Sequence, residues 1–452
     1  MKIRSLLLFA AGLIGVASLA VSATSATASA SSAGSVHLRI DVDRAVLPSD
    51  TTEKAVIKIA LDGIRPPRRD LRLPVNLALV IDRSSSMSGD KIAKAREAAL
   101  EAVRRLEPDD VVALIAYDSR VETLVPAQRV GDRRRLEAAI CSIEATGMTA
   151  LHGGVMRGAE EVRQHIENRR YVNRIILLSD GQANVGPKSP EELGRLGAEL
   201  MREGITVSTV GLGLGFNEDL MTRLAQSSDG NTYFVEDSAD LPRIFAAELG
   251  DVLSIVARRV VIEIDFPKGV RPLKFVGREG SVKGQRAELT LSQIYGGQEK
   301  FALVEVEVSP TKAGKAREIA RARVTYEDAL NQKNATMSAA RSVEFSSNTQ
   351  LVVSSADHRV QADYAANVMA NAKDEAVALV DSNRRVEAGA LLRQRAAELA
   401  KLGATYGNLA VQDVAAPAAA EADRLERDGL GASERKAYRA ESAQTKNQQS
   451  SR

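Results

Sequence analysis

Two hydrophobic rhythms alternate along the chain, and the switches between them mark its segments. Residues 36 to 61 run with a period of two. Val36, Leu38, Ile40 and Val42 alternate with polar partners in VHLRIDV, and AVIKIAL follows the turn LPSD. Such alternation predicts half-buried strands. IRPPRRD then breaks the pattern and reads as a linker, so residues 34–73 hold strands and a connection.

From residue 74 to 256 strands alternate with helices. VNLALVID is a near-continuous apolar run, as expected of a parallel strand covered on both faces. The next stretch places Ile92, Ala95, Ala99, Val103 and Leu106 at helical spacing. VVALIAY, RIILLSD, TVSTVGLG and TYFV read as further strands. Between and after them come helices over RRRLEAAICSIEA, LHGGVMRGAEEVRQHI, NEDLMTRLAQ and LPRIFAAELGDVLS. SPEELGRLGAELMREG starts a helix with Ser189, Pro190 and Glu192 in capping positions and stops it at Gly204. This rhythm predicts an α/β fold with a doubly wound, mostly parallel sheet.

Over residues 257–350 the period returns to two, in RRVVIEIDF, AELTLSQI, FALVEVEV and IARARVTYED. A sheet with one apolar face needs a second layer. The strands before residue 74 supply part of it, which predicts a β-sandwich built from both flanks with the α/β segment inserted. Residues 355–430 turn Ala-rich and helical. Two long helices there pair as a hairpin that buries Val360, Tyr364, Val368, Val377, Leu391, Leu399 and Leu402. One hairpin makes a docked appendage, not a repeat array. Residues 431–452, rich in Gln, Ser and Lys, read as a disordered tail.

Composition narrows the function classes. Basic residues number 61 against 59 acidic ones, so the net charge of +2 leaves no bulk attraction for nucleic acid. Aromatics make up 4% of the chain and Trp is absent, which removes base-stacking platforms as well. The single cysteine, Cys141, rules out an internal disulfide framework, and LEAAICSIEA predicts that it packs as a small buried hydrophobe. The N-terminus has Lys2 and Arg4, an apolar stretch from Leu6 to Val21 and then small residues. Cleavage sites of the A-x-A type end at Ala23 and Ala30. Residues 1–30 thus read as a signal peptide, the alternative being an uncleaved anchor. The mature chain is expected in the periplasm or secreted, without a membrane span.

The chemistry gathers at strand ends. In an open doubly wound sheet, ligands sit beyond the carboxyl ends of the strands. Asp82 ends the first of these strands and Asp180 the third buried one. Thr149 lies in TGMTALHGG before a helix, and DRSSS supplies Ser84 and Ser86 beside Asp82. Two carboxylates and three hydroxyls are hard oxygen donors, suited to Mg²⁺, Mn²⁺ or Ca²⁺ rather than zinc. With only two acids, a bound divalent ion keeps positive charge and an open position. Such a site attracts a carboxylate from outside, from a protein presenting Asp or Glu.

DRSSS, GMTAL and SDG together resemble the von Willebrand factor type A domain and its metal-ion-dependent adhesion site. The resemblance covers residues 74 to 256 and implies a Rossmann-like domain. It implies that Ser84, Ser86 and Thr149 make the direct or switchable metal contacts, while Asp82 and Asp180 act through water. The flanks look like bacterial exported proteins of this type, distantly similar to inter-alpha-trypsin inhibitor heavy chains. The function implied is a non-enzymatic, metal-dependent protein-binding module in adhesion or complex assembly. Arg83 departs from the small residue frequent at its position, and is expected to meet an acidic ligand or face solvent.

Other readings explain fewer residues. Turn formation and helix capping account for one serine but not for Thr149 and Asp180. A hydrolase would use a serine with His152, but the G-x-S-x-G elbow is missing and His152 fits the start of a helix. GLGLG at 211 to 215 lacks the lysine of a phosphate loop, and His37, His165 and His358 are scattered.

Overall fold

The computed structural model describes residues 31–65, 73–168, 170–252 and 254–449. The expected leader and most of the linker before residue 73 lie outside the described residues. Strand β1 (Ser31–Ala33) pairs with β2 (Val36–Val42), and β3 (Val46–Pro48) and β4 (Glu53–Gly63) follow. The alternation in VHLRIDV is realised: Val36, Leu38, Ile40 and Val42 are buried and the residues between them are half-buried.

In the inserted segment β5 (Val75–Asp82), α1 (Asp90–Arg105), β6 (Val111–Tyr117), β7 (Val121–Arg129) and α2 (Arg133–Cys141) come first. Next come α3 (Leu151–Arg163), β8 (Val172–Ser179), α4 (Pro190–Glu203) and β9 (Ile205–Leu212). The segment closes with α5 (Glu218–Ser227), β10 (Thr232–Val235) and α6 (Leu241–Val252). Its sheet has the order β10-β9-β8-β5-β6-β7, parallel except for β7. Every residue of β5 is buried, because Val75, Leu77, Leu79 and Ile81 face α1, α2 and α6, while Ala78 and Val80 face the other three helices. The chain goes to β6 on one side of β5 and later to β8 on the other. The crevice of this sheet therefore opens at the carboxyl ends of β5 and β8.

The second flank supplies β11 (Ile255–Asp265), β12 (Val270–Val276), β13 (Ser281–Lys283) and β14 (Arg286–Tyr295). It then adds β15 (Glu299–Val308), β16 (Ala316–Asp328) and β17 (Lys333–Ser346). One sheet runs β1-β2-β4-β15-β12 and the other β13-β14-β11-β16-β17-β3. Each joins strands from before and after the insertion, through β4 with β15 and β3 with β17. One core of buried residues lies between the two sheets, from Leu38 and Ile59 to Val260 and Val324. The expected shared sandwich is present.

The structure departs from expectation at several places. The pattern does not announce β7, which is mostly half-buried and carries Pro126; proline is tolerated at a sheet edge. Neither β12, which grows out of PKGVRP, nor β17 is legible as a separate strand. Cys141 is exposed at the last turn of α2, where Leu136 and Ile140 take the buried face. The C-terminal region is more than a hairpin. α7 (Thr349–Ser354) leads out of the sandwich, and α8 (His358–Asp381), α9 (Arg385–Tyr406), α10 (Leu409–Ala415) and α11 (Ala418–Asp428) build a small bundle. In it Leu392, not Leu391, is buried, and Val360 packs on the outer face of the first sheet with Val56 and Leu303.

The last difference is the expected disordered tail, which forms helix α12 (Ala432–Lys446). Its polar composition hides the reason, because ion pairs tether it. Arg435 bridges Asp219 at 2.5 Å and Asp381 at 2.7 Å, and Arg439 reaches Asp219 at 2.8 Å and Asp374 at 2.9 Å. Lys436, buried, donates to the Phe216 carbonyl at 2.7 Å and pairs with Glu218. Burial pushes the Asp374 carboxyl up, but Lys446, Ser442 and Arg439 outweigh it and hold the group below its ordinary 3.8. A depressed carboxylate stabilises above that value and loses its contribution as pH falls through the folded one. Reversing both Arg435→Glu and Arg439→Glu is expected to abolish hydrogen-exchange protection of residues 432–446 at neutral pH. In wild type, protection should weaken as pH falls below 3.8 through the folded Asp374 value. Unchanged protection in the double variant would show that the ion pairs are not the tether.

Candidate metal centre

The loop after β5 is held before it reaches any ligand. Arg83 N donates to the Tyr117 carbonyl at 2.8 Å, Ser85 N to Gly147 at 3.0 Å and Thr146 N to Arg83 at 2.6 Å. These bonds stitch the first serine loop to the loop that carries Thr149. Met87, fully buried, anchors the short turn Ser85–Met87 in the core, and Gly89, at φ 78°, turns the chain into α1. A residue with a Cβ would be strained there.

Asp82 is fully buried at the end of β5. Its Oδ1 accepts from Ser84 N at 2.8 Å and its Oδ2 from the Ser179 hydroxyl at 2.5 Å. Burial pushes its carboxyl up to about 6, against the pull of the Ser179 and Ser84 hydrogen bonds. Ser84 Oγ lies 3.1 Å from Ser86 Oγ, and the Ser86 hydroxyl donates to Asp180 Oδ1 at 2.7 Å. The other Asp180 oxygen takes Lys91 Nζ at 2.5 Å. Thr149 is fixed through its backbone: its N donates to Asn184 Oδ1 at 2.8 Å and its carbonyl accepts from Asn184 N at 3.1 Å.

Gly181 marks the point where the hydroxyls meet. A Cβ built there would stand 3.0 Å from Thr149 Oγ1, 3.4 Å from Ser86 Oγ and 3.7 Å from Ser84 Oγ. The absent side chain leaves a cradle ringed by three hydroxyls, with Asp180 beside it. All five residues read from the sequence thus lie at one edge, in the crevice of the sheet. Their chemistry fits a small hard cation, since every side-chain donor is oxygen. Among the described residues no three His, Cys, Asp or Glu gather to hold a metal. An ion at this edge therefore relies on hydroxyls as well as on the two carboxylates.

Several neighbours have roles that the sequence does not announce. Arg83 neither points to an outside ligand nor faces solvent. It pairs with Asp118 at 2.9 Å and Glu122 at 2.9 Å, bracing the loop from behind. Ser179 carried a signal only in standing next to Asp180. Lys91 carried none, because a lysine in the first turn of an amphipathic helix reads as solvated. His152 is half-buried in α3, with a pKa lowered by burial against the opposing pull of Glu192. None of the described hydrogen bonds joins it to Ser84, Ser85 or Ser86.

Residues 76–247 match the family model of the von Willebrand factor type A domain. An uncharacterized protein of Synechocystis is 31% identical over 211 residues, covering 45% of this chain and 49% of that protein. Inter-alpha-trypsin inhibitor heavy chain H3 of Mesocricetus auratus is 26% identical over 229 residues, covering 48% and 26%. The chain thus spans half or less of the length of these curated relatives. Among solved structures, a von Willebrand factor type A protein from Catenulispora acidiphila superposes with TM-score 0.63 at 17% identity, covering 82% of this chain and 89% of that one. The ArnB paralog VWA2 from Sulfolobus acidocaldarius gives 0.58 at 15%, covering 91% and 98%. At such identities the structures speak for the fold alone. Sequence match, sheet order and fold together identify residues 76–247 as a von Willebrand factor type A domain.

Proposed function

We propose that this chain is an exported protein-binding module that captures an Asp or Glu of a partner protein through a divalent ion at the edge formed by Asp82, Ser84, Ser86, Thr149 and Asp180. The observation that carries the reading is the convergence of three hydroxyls on the open cradle at Gly181, between two carboxylates. Hydroxyls supply oxygen without charge, so a divalent ion there balances only Asp82 and Asp180. Lys91 adds a further positive charge, and the edge as a whole attracts a carboxylate. Mg²⁺ is the ion of first choice, with Mn²⁺ and Ca²⁺ sharing its oxygen preference. Binding is favoured over hydrolysis because Ser84, Ser86 and Asp180 hydrogen-bond in a chain that leaves out His152. Adhesion and complex assembly are the roles such capture serves.

Calorimetry with Mg²⁺ and Mn²⁺ tests the site. Ser86→Ala is expected to weaken metal binding about tenfold, about 1.4 kcal/mol, and Asp82→Ala by more. Gly181→Ala should remove binding with the fold retained, since its methyl enters the cradle. Pull-down from envelope extract should lose the partner with EDTA and with each of these variants. Folded variants that bind metal as wild type does would reduce the serines to a turn.

Lys91 gives a second, opposite expectation. Its ammonium neutralises the carboxylate oxygen a cation would otherwise find, so it opposes a divalent ion by like charge. Lys91→Gln should therefore raise Mg²⁺ affinity, about tenfold after allowance for solvent screening. Equal or weaker binding would assign the lysine to loop packing instead.

Export is supported by the basic start, apolar run and small-residue sites before residue 31. Among the described residues no helix is long and apolar enough to cross a membrane. N-terminal sequencing of the periplasmic or secreted fraction should give a mature start near Thr24 or Ser31. Intact Met1 in a detergent-requiring fraction would reject this.

A further inference from the structure

At the end of the α/β sheet opposite the metal centre, a cleft of about 410 Å³ opens between this domain and the sandwich. Its walls are the starts of β8 and β9, the last turn of α4, and strands β11 and β14. Buried small-molecule sites begin at roughly 300 Å³, so the volume suffices for a compact ligand. Ile166, Met201 and Val261, all half-buried, give the inner surface an apolar side, and Thr206, Thr290 and Ser292 line it as well.

The charge at the mouth is one-sided. Arg202, Arg258 and Arg259 line the cleft and no acidic residue does. The nearby Glu327 is shared, 2.6 Å from Arg258 and 3.3 Å from Arg259. Arg202 adds a third guanidinium beside this shared carboxylate. Arg202 has no ion-pair partner among the described residues, and its place in the last turn of α4 suits the helix dipole without consuming its charge.

Arg259 is less easily explained by packing. It sits at φ 51°, in the left-handed region that favours glycine, within a register shift of β11 against β16. A bulge of this kind re-aims a side chain, and such strain persists only where the surroundings enforce it. Here it sends the guanidinium across the cleft. Arg259 Nη2 stands 3.9 Å from the place a Cβ on Gly204 would occupy, just past the end of α4.

We infer that this cleft binds a small amphipathic anion, a carboxylate or sulfonate head on a compact apolar body. Arg202 and Arg259 hold the head at the mouth, and Ile166, Met201 and Val261 surround the body. A ligand so placed touches both domains and ties their relative position.

The probe is 1-anilinonaphthalene-8-sulfonate titrated into the full mature chain. Its fluorescence should saturate at one site per chain, and octanoate should displace it where octanol at equal concentration does not. Arg202→Gln is expected to weaken the dye about tenfold. Arg259→Gly is the decisive variant, because it relieves the left-handed strain while removing the guanidinium. It should melt no lower than wild type and still lose the dye about tenfold, which a purely structural role for Arg259 does not produce. No saturable binding, several equivalent weak sites, equal displacement by octanol, or unchanged affinity in both variants would each overturn the inference.

Discussion

A carboxylate buried at the end of a fully buried strand is the constraint on which the site depends. Asp82 sits where β5 leaves the sheet, between β6 and β8, and water does not reach it. Its two oxygens are held by the Ser84 amide and the Ser179 hydroxyl, so one side chain fixes the start of the serine loop and its spacing from β8. The raised pKa, about 6, gives the sign of the cost. The stability contributed by the protonated form is complete below the ordinary 3.8 and is lost as pH rises through about 6. At neutral pH the ionised group therefore weakens the fold that carries it. Natural proteins accept such a penalty at functional positions and compensate elsewhere.

The domain around Asp82 is held in place by how it is embedded. Both its ends enter one sandwich, and β14 sends Tyr295 into its lower core. There Arg174 and Glu248, both fully buried, pair at 3.4 Å, with Ser208 and Tyr295 bonded to the arginine and Ser208, Asn231 and Tyr233 to the glutamate. Burial alone lowers the Arg174 pKa, but Tyr295 and Glu248 raise it further, so the charge stays. A buried ion pair adds little net stability compared with apolar packing, but it penalises any arrangement that separates its members. Its partners come from β8, β9, β10, α6 and β14, and that set keys the domain to the sandwich in one orientation.

Legibility in the sequence followed how local the determining interaction was. VNLALVID declared a strand covered on both faces, and D-x-S-x-S declared its loop, because both signals lie within a dozen residues. Thr149 and Asp180 were readable because parallel strands place all their carboxyl ends at one edge. The edge strand β7 was hidden by its half-exposed pattern and Pro126, and Cys141 by a helix whose apolar stripe passes one residue away. The tail was hidden more thoroughly. No apolar stripe marks α12, and the acids that hold Arg435 and Arg439 stand far upstream, at Asp219, Asp374 and Asp381. The roles of Lys91 and Arg83 are illegible in sequence for the same reason: a cation's partner is set by tertiary contact, not by neighbours in sequence.

The loops at the candidate metal edge show how much order precedes any ligand. The serine loop is bonded to the Thr149 loop through backbone groups, and Thr149 is bonded to Asn184 beyond Asp180. Gly215 packs so closely that a Cβ there would stand 2.7 Å from the Asp180 carbonyl, which closes the remaining side. The loops that carry the hydroxyls are thus held by main-chain bonds, while Ser84 and Ser86 also bond to one another and to Asp180, and little ordering entropy remains to be lost when they gain a ligand. Lys91 differs, since it reaches the edge on a flexible stem and is about a third exposed. Its ammonium, paired with Asp180, offsets part of the negative charge that this carboxylate presents at the edge.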